Sequence, residues 1–255
     1  MGLEIVTIPC RTDNYAYLLR DLAGRRVALV DAPEAAPIMA ALEERGWSLD
    51  LILVTHHHED HVAGLEELRA AYEPVVVGAA ADSHRLPRLD AEVVDGDTVM
   101  VGASIAEVIE VPGHTIGHVA YHFAGAEALF SADSLMVMGC GRLFEGTPDQ
   151  MWSSLSRMAA LPDATLLYSG HEYARSNARF ATALDPDHQP TLDRARAIDE
   201  TLAGGGFTVP ARLDLERATN PFLRASDPGL KARLGMPNSP DAQVFAEIRR
   251  RKDSF

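Results

Sequence analysis

The segment Thr55-His56-His57-His58-Glu59-Asp60-His61 constrains this chain more than any other, because five of its seven residues are histidine or aspartate. It follows Asp50 to Thr55, a short apolar run with β-branched content of the kind that forms a buried strand. If the chain stays extended past Thr55, His56 and His58 point to one side and His57 to the other. Asp60 and His61 then open a helix whose buried face is Val62, Leu65, Leu68 and Tyr72, recurring at three- and four-residue steps. Four donor groups therefore converge where a rigid strand ends, a place where a site can be held accurately. Imidazole and carboxylate suit zinc, iron or manganese, and the absence of thiolates argues against a closed structural zinc site. The bland alternative is a solvated loop that happens to be rich in histidine.

Three later residues weigh against that alternative. His114 follows the strand-like Ile105 to Val111, Asp133 follows Ala128 to Ser131, and His171 follows Thr165 to Ser169. Each alone would pass as a turn residue. Together they repeat one rule, strand then ligand, which a chance scatter does not produce.

The rest of the chain fits a layered α/β domain. Further strands are expected at Glu4 to Ile8, Tyr15 to Arg20, Arg26 to Asp31, Val75 to Val77 and Ala120 to Phe123. Met151, Leu155, Met158 and Leu161 mark a second amphipathic helix, started by Thr147 as cap, Pro148 at the first helical position and Gln150 completing a capping box. After about residue 174 the strand signal stops, and helices are expected over 192–202, 213–218 and 243–252, broken by Gly204-Gly205-Gly206. Strands first and helices covering them imply a layered α/β domain over 1–174 and a small helical domain over 175–255.

Composition excludes some functions. At 255 residues the chain buries its own core without disulfides, and its two cysteines, Cys10 and Cys140, form no closely spaced metal or redox pair. A reducing cytoplasm suits that usage. The longest apolar runs, Leu51 to Val54 and Val75 to Val77, are too short to span a bilayer, and the first thirty residues show no targeting pattern. A net charge of -14, from 37 acidic against 23 basic side chains, disfavours nucleic acid and anionic membranes as partners. An anionic substrate would need a local basic patch, and Arg249, Arg250, Arg251 and Lys252 are the visible candidate.

These motifs resemble the metallo-β-lactamase superfamily, whose His-x-His-x-Asp-His signature is met by His56, His58, Asp60 and His61. Within it the chain is most similar to the glyoxalase II, or hydroxyacylglutathione hydrolase, family. That likeness runs nearly end to end: Asp13 to Tyr17, Thr55 to His61, Pro112 to Thr115, Gly139 to Arg142, Gly170 to Tyr173, Asn220 to Arg224 and Lys252 to Phe255. It implies an αββα sandwich followed by a helical substrate-binding domain. It further implies two divalent ions per chain, zinc first, with iron or manganese also suited to the donors. His56, His58 and His114 would hold one ion, Asp60, His61 and His171 the other, and Asp133 both. Asp60 and Asp133 are then the carboxylates of the catalytic centre.

The implied reaction is hydrolysis of an S-(2-hydroxyacyl)glutathione, S-lactoylglutathione above all, by a hydroxide shared between the metals, as in methylglyoxal detoxification. Metal binding lowers the pKa of water from about 15.7 to about 7, so no protein base is required. The resemblance assigns Arg142, Phe144, Tyr173, Arg249 and Lys252 to the glutathione pocket, where basic side chains would pair its carboxylates. Phe144 stands where the family often has Tyr, and Arg142 where it usually has Lys, which changes donor geometry. No obligate protein partner is implied. The rival in another reaction class is a persulfide dioxygenase, a mononuclear iron enzyme sharing the signature; the tail motifs at 220–224 and 252–255 favour the hydrolase. A binding protein that kept the fold and lost its chemistry should have lost ligands, and all seven are present. Lactonases of the superfamily would not explain the glutathione-like positions.

Overall fold

The protein is described here by a computed structural model covering residues 2–255. The described residues form two compact units, one made of residues 2–110 and 116–132, the other of 111–115 and 133–255.

In the first unit, β1 (Leu3–Cys10) and β2 (Asn14–Asp21) form a hairpin in which Cys10 faces Asn14, and β3 (Val27–Val30) pairs antiparallel with β2. The chain then crosses through α1 (Ala35–Arg45) to β4 (Leu51–Leu53), through α2 (Glu59–Val62) and α3 (Leu65–Tyr72) to β5 (Val75–Ala79), and on to β6 (Ala91–Val93). From β3 to β6 the pairing is parallel, which explains the helical crossovers and the unbroken apolar run of β3. Ile38 and Leu42 of α1 and Leu65 and Leu68 of α3 pack over Leu29, Ile52 and Val76. Gly46 ends α1 in the left-handed conformation, donating its N–H back to the last turn.

The same unit contains a meander of β7 (Thr98–Val101), β8 (Ser104–Glu110), β9 (Val119–Phe123) and β10 (Ala128–Ala132). It stacks on the first sheet: the rings of Tyr17 and Phe130 lie 5.4 Å apart, and the Tyr121 hydroxyl donates to the Val54 carbonyl at 2.9 Å. Helices, sheet and sheet give the layered α/β architecture expected. The strands β6 and β7 have no counterpart in the sequence reading, because three or four residues with charged or exposed neighbours carry too little periodicity.

The helix expected after the histidine run is corrected here. The helix read through Val62 to Tyr72 is two helices, broken at Gly64. A Cβ on Gly64 would stand 2.6 Å from the Ala35 nitrogen, and its own N–H donates to the Ala32 carbonyl at 2.8 Å. The break lets the chain press against the β3–α1 loop, where the Ala32 N–H also binds the His61 carbonyl at 2.8 Å.

In the second unit, β11 (Leu135–Met136) and β12 (Gly139–Cys140) form a very short hairpin. Next come α4 (Pro148–Ala159), with the capping box between Thr147 and Gln150, and β13 (Leu166–Ser169). They are followed by α5 (Ala174–Leu184), α6 (Gln189–Ala203), β14 (Ala211–Arg212), α7 (Leu213–Thr219), α8 (Pro228–Arg233) and α9 (Asp241–Asp253). The strand signal therefore does not stop at 174, since β14 pairs antiparallel with β13. The apolar centre of these helices is Phe180, Phe222 and Phe245, all buried and in ring contact.

Candidate metal centre

In the first unit, β4 ends at Leu53 and the chain runs on without regular structure to His58, delivering the histidine run to the end of the sheet. His56 is fully buried, and its Nδ1 lies 3.0 Å from the Thr55 hydroxyl oxygen. That hydroxyl donates its own proton to Asp31 at 2.8 Å, so it accepts from His56. The proton of His56 therefore sits on Nδ1 and the lone pair on Nε2. His61, also fully buried, donates Nδ1–H to Asp31 at 2.7 Å, again leaving Nε2 as the donor atom. Asp31 is thus the common anchor, with one oxygen receiving the Thr55 N–H and the other the Thr55 hydroxyl and His61. A carboxylate behind an imidazole fixes its tautomer and raises its basicity as a metal ligand.

His58 places Nδ1 3.2 Å from His56 Nε2, so two ring nitrogens must share either a proton or a cation. Asp60 is held by Asn14, whose amide donates to its carboxylate at 3.1 Å and to its carbonyl at 3.0 Å, and its Oδ2 lies 4.0 Å from His61 Nε2. His57 turns away, as extended geometry requires, toward the buried Asp82 at 3.1 Å, which Arg85 also pairs. His118 stacks on His56 with ring centres 4.6 Å apart.

In the second unit, Asp133 is the focus. Its Oδ2 lies 3.5 Å from His114 Nε2 and 3.3 Å from His171 Nε2. His114 donates Nδ1–H to the Arg142 carbonyl at 2.8 Å, so its lone pair also sits on Nε2. One buried carboxylate oxygen thus lies close to a ring nitrogen of each of two histidines. Gly141 makes the close packing possible: a Cβ there would stand 2.1 Å from the Asp133 carbonyl oxygen and 2.8 Å from His114 Nδ1. In each unit the residues fit divalent cations by tautomer, burial and donor type.

The remaining candidates lie in the second unit. Phe144 sets its edge against His114 with ring centres 5.3 Å apart and is 63% exposed. Tyr173 stacks on His171 at 4.6 Å and is also exposed. Arg249 is buried, bonded to Asp253 at 2.7 Å and to the Cys140 carbonyl at 3.0 Å, with its guanidinium over Phe222. Lys252 donates to the Ser176 carbonyl and hydroxyl, both at 3.1 Å, beside the rings of Phe180 and Phe255. Burial, then the positive charges of Arg249, Arg142 and Arg179, pull its pKa down to about 8. Burial pushes the Cys140 thiol up to about 11, which makes it a packing residue rather than a nucleophile. The residues that the sequence reading left without a role are Asn14, Thr55 and the carbonyl of Arg142. Their signal is adjacency to a ligand or to a motif, and the bond each makes is set only by folding.

Residues 11–171 match the family description "Metallo-beta-lactamase superfamily", and residues 172–255 match "Hydroxyacylglutathione hydrolase C-terminus". A protein of Ruegeria pomeroyi named hydroxyacylglutathione hydrolase is 60% identical over the whole of both chains. One of that name from Rhizobium meliloti is 51% identical, covering 100% of this chain and 99% of the relative. Among solved structures, ETHE1 from Myxococcus xanthus superposes with a TM-score of 0.67 at 25% identity, covering 98% of this chain and 90% of the other. The B3 metallo-beta-lactamase BLEG-1 gives 0.67 at 20% identity, over 86% and 99%, a likeness of fold alone.

Proposed function

The chain belongs to the hydroxyacylglutathione hydrolase family of the metallo-β-lactamase superfamily, a family of metal-dependent thioester hydrolases, and we propose how its residues perform that hydrolysis. His56, His58 and His114 would hold one divalent ion and Asp60, His61 and His171 a second, with Asp133 available to both. The observation that carries this reading is the pinned tautomer: His56, His61 and His114 all keep their proton on Nδ1, against Thr55, Asp31 and the Arg142 carbonyl. Zinc is the ion proposed, and two such ions would supply Lewis acidity and a water acidic enough to ionise near neutrality.

The chain's own residues then do three things. Asp31, Asn14 and the Arg142 carbonyl hold the ligands in the productive orientation. Phe144 and Tyr173, lying on His114 and His171, flank the acyl group. Arg142, Lys252 and Arg249 supply positive charge for the glutathione carboxylates in an otherwise acidic protein. Water adds to the acyl carbon and the carbon–sulfur bond breaks. Glutathione leaves as the thiolate, whose parent pKa of about 8.5 lets it depart with little protonation; one proton of the water then returns to that sulfur and the other passes to solvent, giving a 2-hydroxy carboxylate, glutathione and one proton. S-Lactoylglutathione is the proposed substrate and the cytoplasm the proposed compartment, in keeping with two buried, unlinked cysteines. Among the described residues no helix is long and apolar enough to cross a membrane.

The test is hydrolysis of S-lactoylglutathione by the purified protein beside elemental analysis of the same sample. Chelator-sensitive turnover with two ions per chain is expected. Chelator-insensitive turnover, no activity towards any glutathione thioester, or oxygen consumption with glutathione persulfide would each overturn the reading.

A further inference from the structure

The hairpin of β11 and β12 is too small to hold itself. Each strand has two residues, the turn is Val137–Met138, and Met138 sits in the left-handed region at φ 57°. A two-stranded hairpin is at best marginal even when longer. This one is buried throughout, so its backbone groups need partners other than water. The helices of the same unit supply them. Glu216 of α7, itself fully buried, accepts the Met138 N–H at 2.8 Å. Asn220, which ends α7 and is also fully buried, donates to the Met136 carbonyl at 3.2 Å and the Gly139 carbonyl at 3.0 Å. Asn177 of α5 donates to the Val137 carbonyl at 3.0 Å.

These residues also brace one another. Asn220 donates to Glu216 at 3.2 Å and accepts the Phe222 N–H at 3.0 Å, while Arg194 of α6 reaches the other Glu216 oxygen at 3.4 Å.

The two legs of the hairpin run straight into the metal ligands. Asp133 stands two residues before β11, and Arg142, whose carbonyl fixes the His114 tautomer, two residues after β12. The legs are joined below the hairpin by the Gly141 N–H donating to the Ser134 carbonyl at 3.3 Å. A shift of the hairpin therefore moves Asp133 and the Arg142 carbonyl together.

We propose that Glu216, Asn220 and Asn177 are positioning residues for the metal centre: by gripping the 135–140 hairpin they set Asp133 and the orientation of His114. The helical region thus has a second role beside meeting the substrate. This inference rests on the reading of Asp133 and His114 as ligands. Glu216→Gln keeps an oxygen for the Met138 N–H, whereas Glu216→Leu keeps bulk and removes the acceptor.

The experiment is zinc titration of the full-length chain against a competing chelating dye, with circular dichroism confirming the fold. Glu216→Leu is expected to weaken zinc binding by about 10- to 100-fold, the usual consequence of losing support behind a ligand, with Glu216→Gln close to wild type. Asn177→Ala, which removes one bond and leaves the Glu216–Asn220 pair intact, is the milder variant and should weaken binding in the same direction. Leu230→Ala empties a buried position of α8 and should lower the unfolding midpoint without changing zinc affinity. Unchanged affinity in both Asn177→Ala and any folded Glu216→Leu protein overturns the inference, as does an equal loss in Leu230→Ala. If wild type binds no zinc, the reading of the ligands fails instead.

Discussion

At the scale of single residues, the site is governed by where protons sit. Asp31 is nearly buried yet bonded to Thr55 and His61, so its charge is spent on orienting donors. Replacing it with alanine frees the His61 ring and the Thr55 hydroxyl at once. Asp31→Ala should lower metal affinity or activity by about 10- to 100-fold, measurable by metal titration of the folded variant. Asp133→Ala removes the oxygen proposed to be shared between the ions and should abolish turnover, with fewer ions per chain by elemental analysis. Lys252 offers a pH test. Its pKa is depressed to about 8 from an ordinary 10.5, so it is protonated below that value and loses its charge above it. Since the charged form is the one that pairs a carboxylate, KM for the thioester should be flat from pH 6 to 7.5 and rise above 8, with spontaneous hydrolysis subtracted. Lys252→Arg should remove the rise. A KM that climbs equally in that variant would assign the effect to another group.

At the scale of elements, local chemistry and tertiary contact divide the work. The start of α4 is written locally, and both halves of its capping box form, Gln150 N–H to Thr147 Oγ1 at 3.2 Å and Thr147 N–H to Gln150 at 2.9 Å. Thr147→Ala should cost about 1 kcal/mol, read as a lower urea midpoint with unchanged slope. The break between α2 and α3 is the opposite case. Its apolar spacing is that of one continuous helix, and only the backbone of Ala35 and Glu34 against Gly64 shows why it cannot be one. Gly64→Ala forces backbone apart and should destabilise the fold by about 1–3 kcal/mol in the same measurement. The strands β11, β12 and β14 were illegible for a related reason. Two-residue strands have no periodicity to read, and side chains or a neighbouring strand elsewhere in the unit hold them.

For the whole molecule, metal and fold are linked. Burying His56 and His61 in one unit, and His114 and His171 in the other, costs stability that the proposed cations would offset. A ligand that binds only the native state adds about 4 kcal/mol at a thousandfold excess over its Kd. Chelation should therefore lower the unfolding temperature, and added zinc should restore it. An unchanged temperature with full loss of metal would mean the sites carry none of the fold's stability. Against a net charge of -14, the cationic group around Lys252 is a local exception, and the proposed anionic substrate would depend on it.

The histidine run, the three later candidates His114, Asp133 and His171, and the family motifs were legible in the order of residues, because a strand followed by a histidine or aspartate is a pattern of sequence and a proposed metal ligand is a side chain of a particular type. Folding decided what the pattern cannot carry. It placed Thr55 and Asp31 so that His56 and His61 keep their proton on Nδ1, turned a backbone carbonyl of Arg142 toward His114, and paired Arg249 with Asp253 and the Cys140 carbonyl. The histidine run at 55–61 points to a metal by composition, but which nitrogen would face it depends on hydrogen bonds between groups far apart in the chain. Those bonds exist only once the strands and helices have packed.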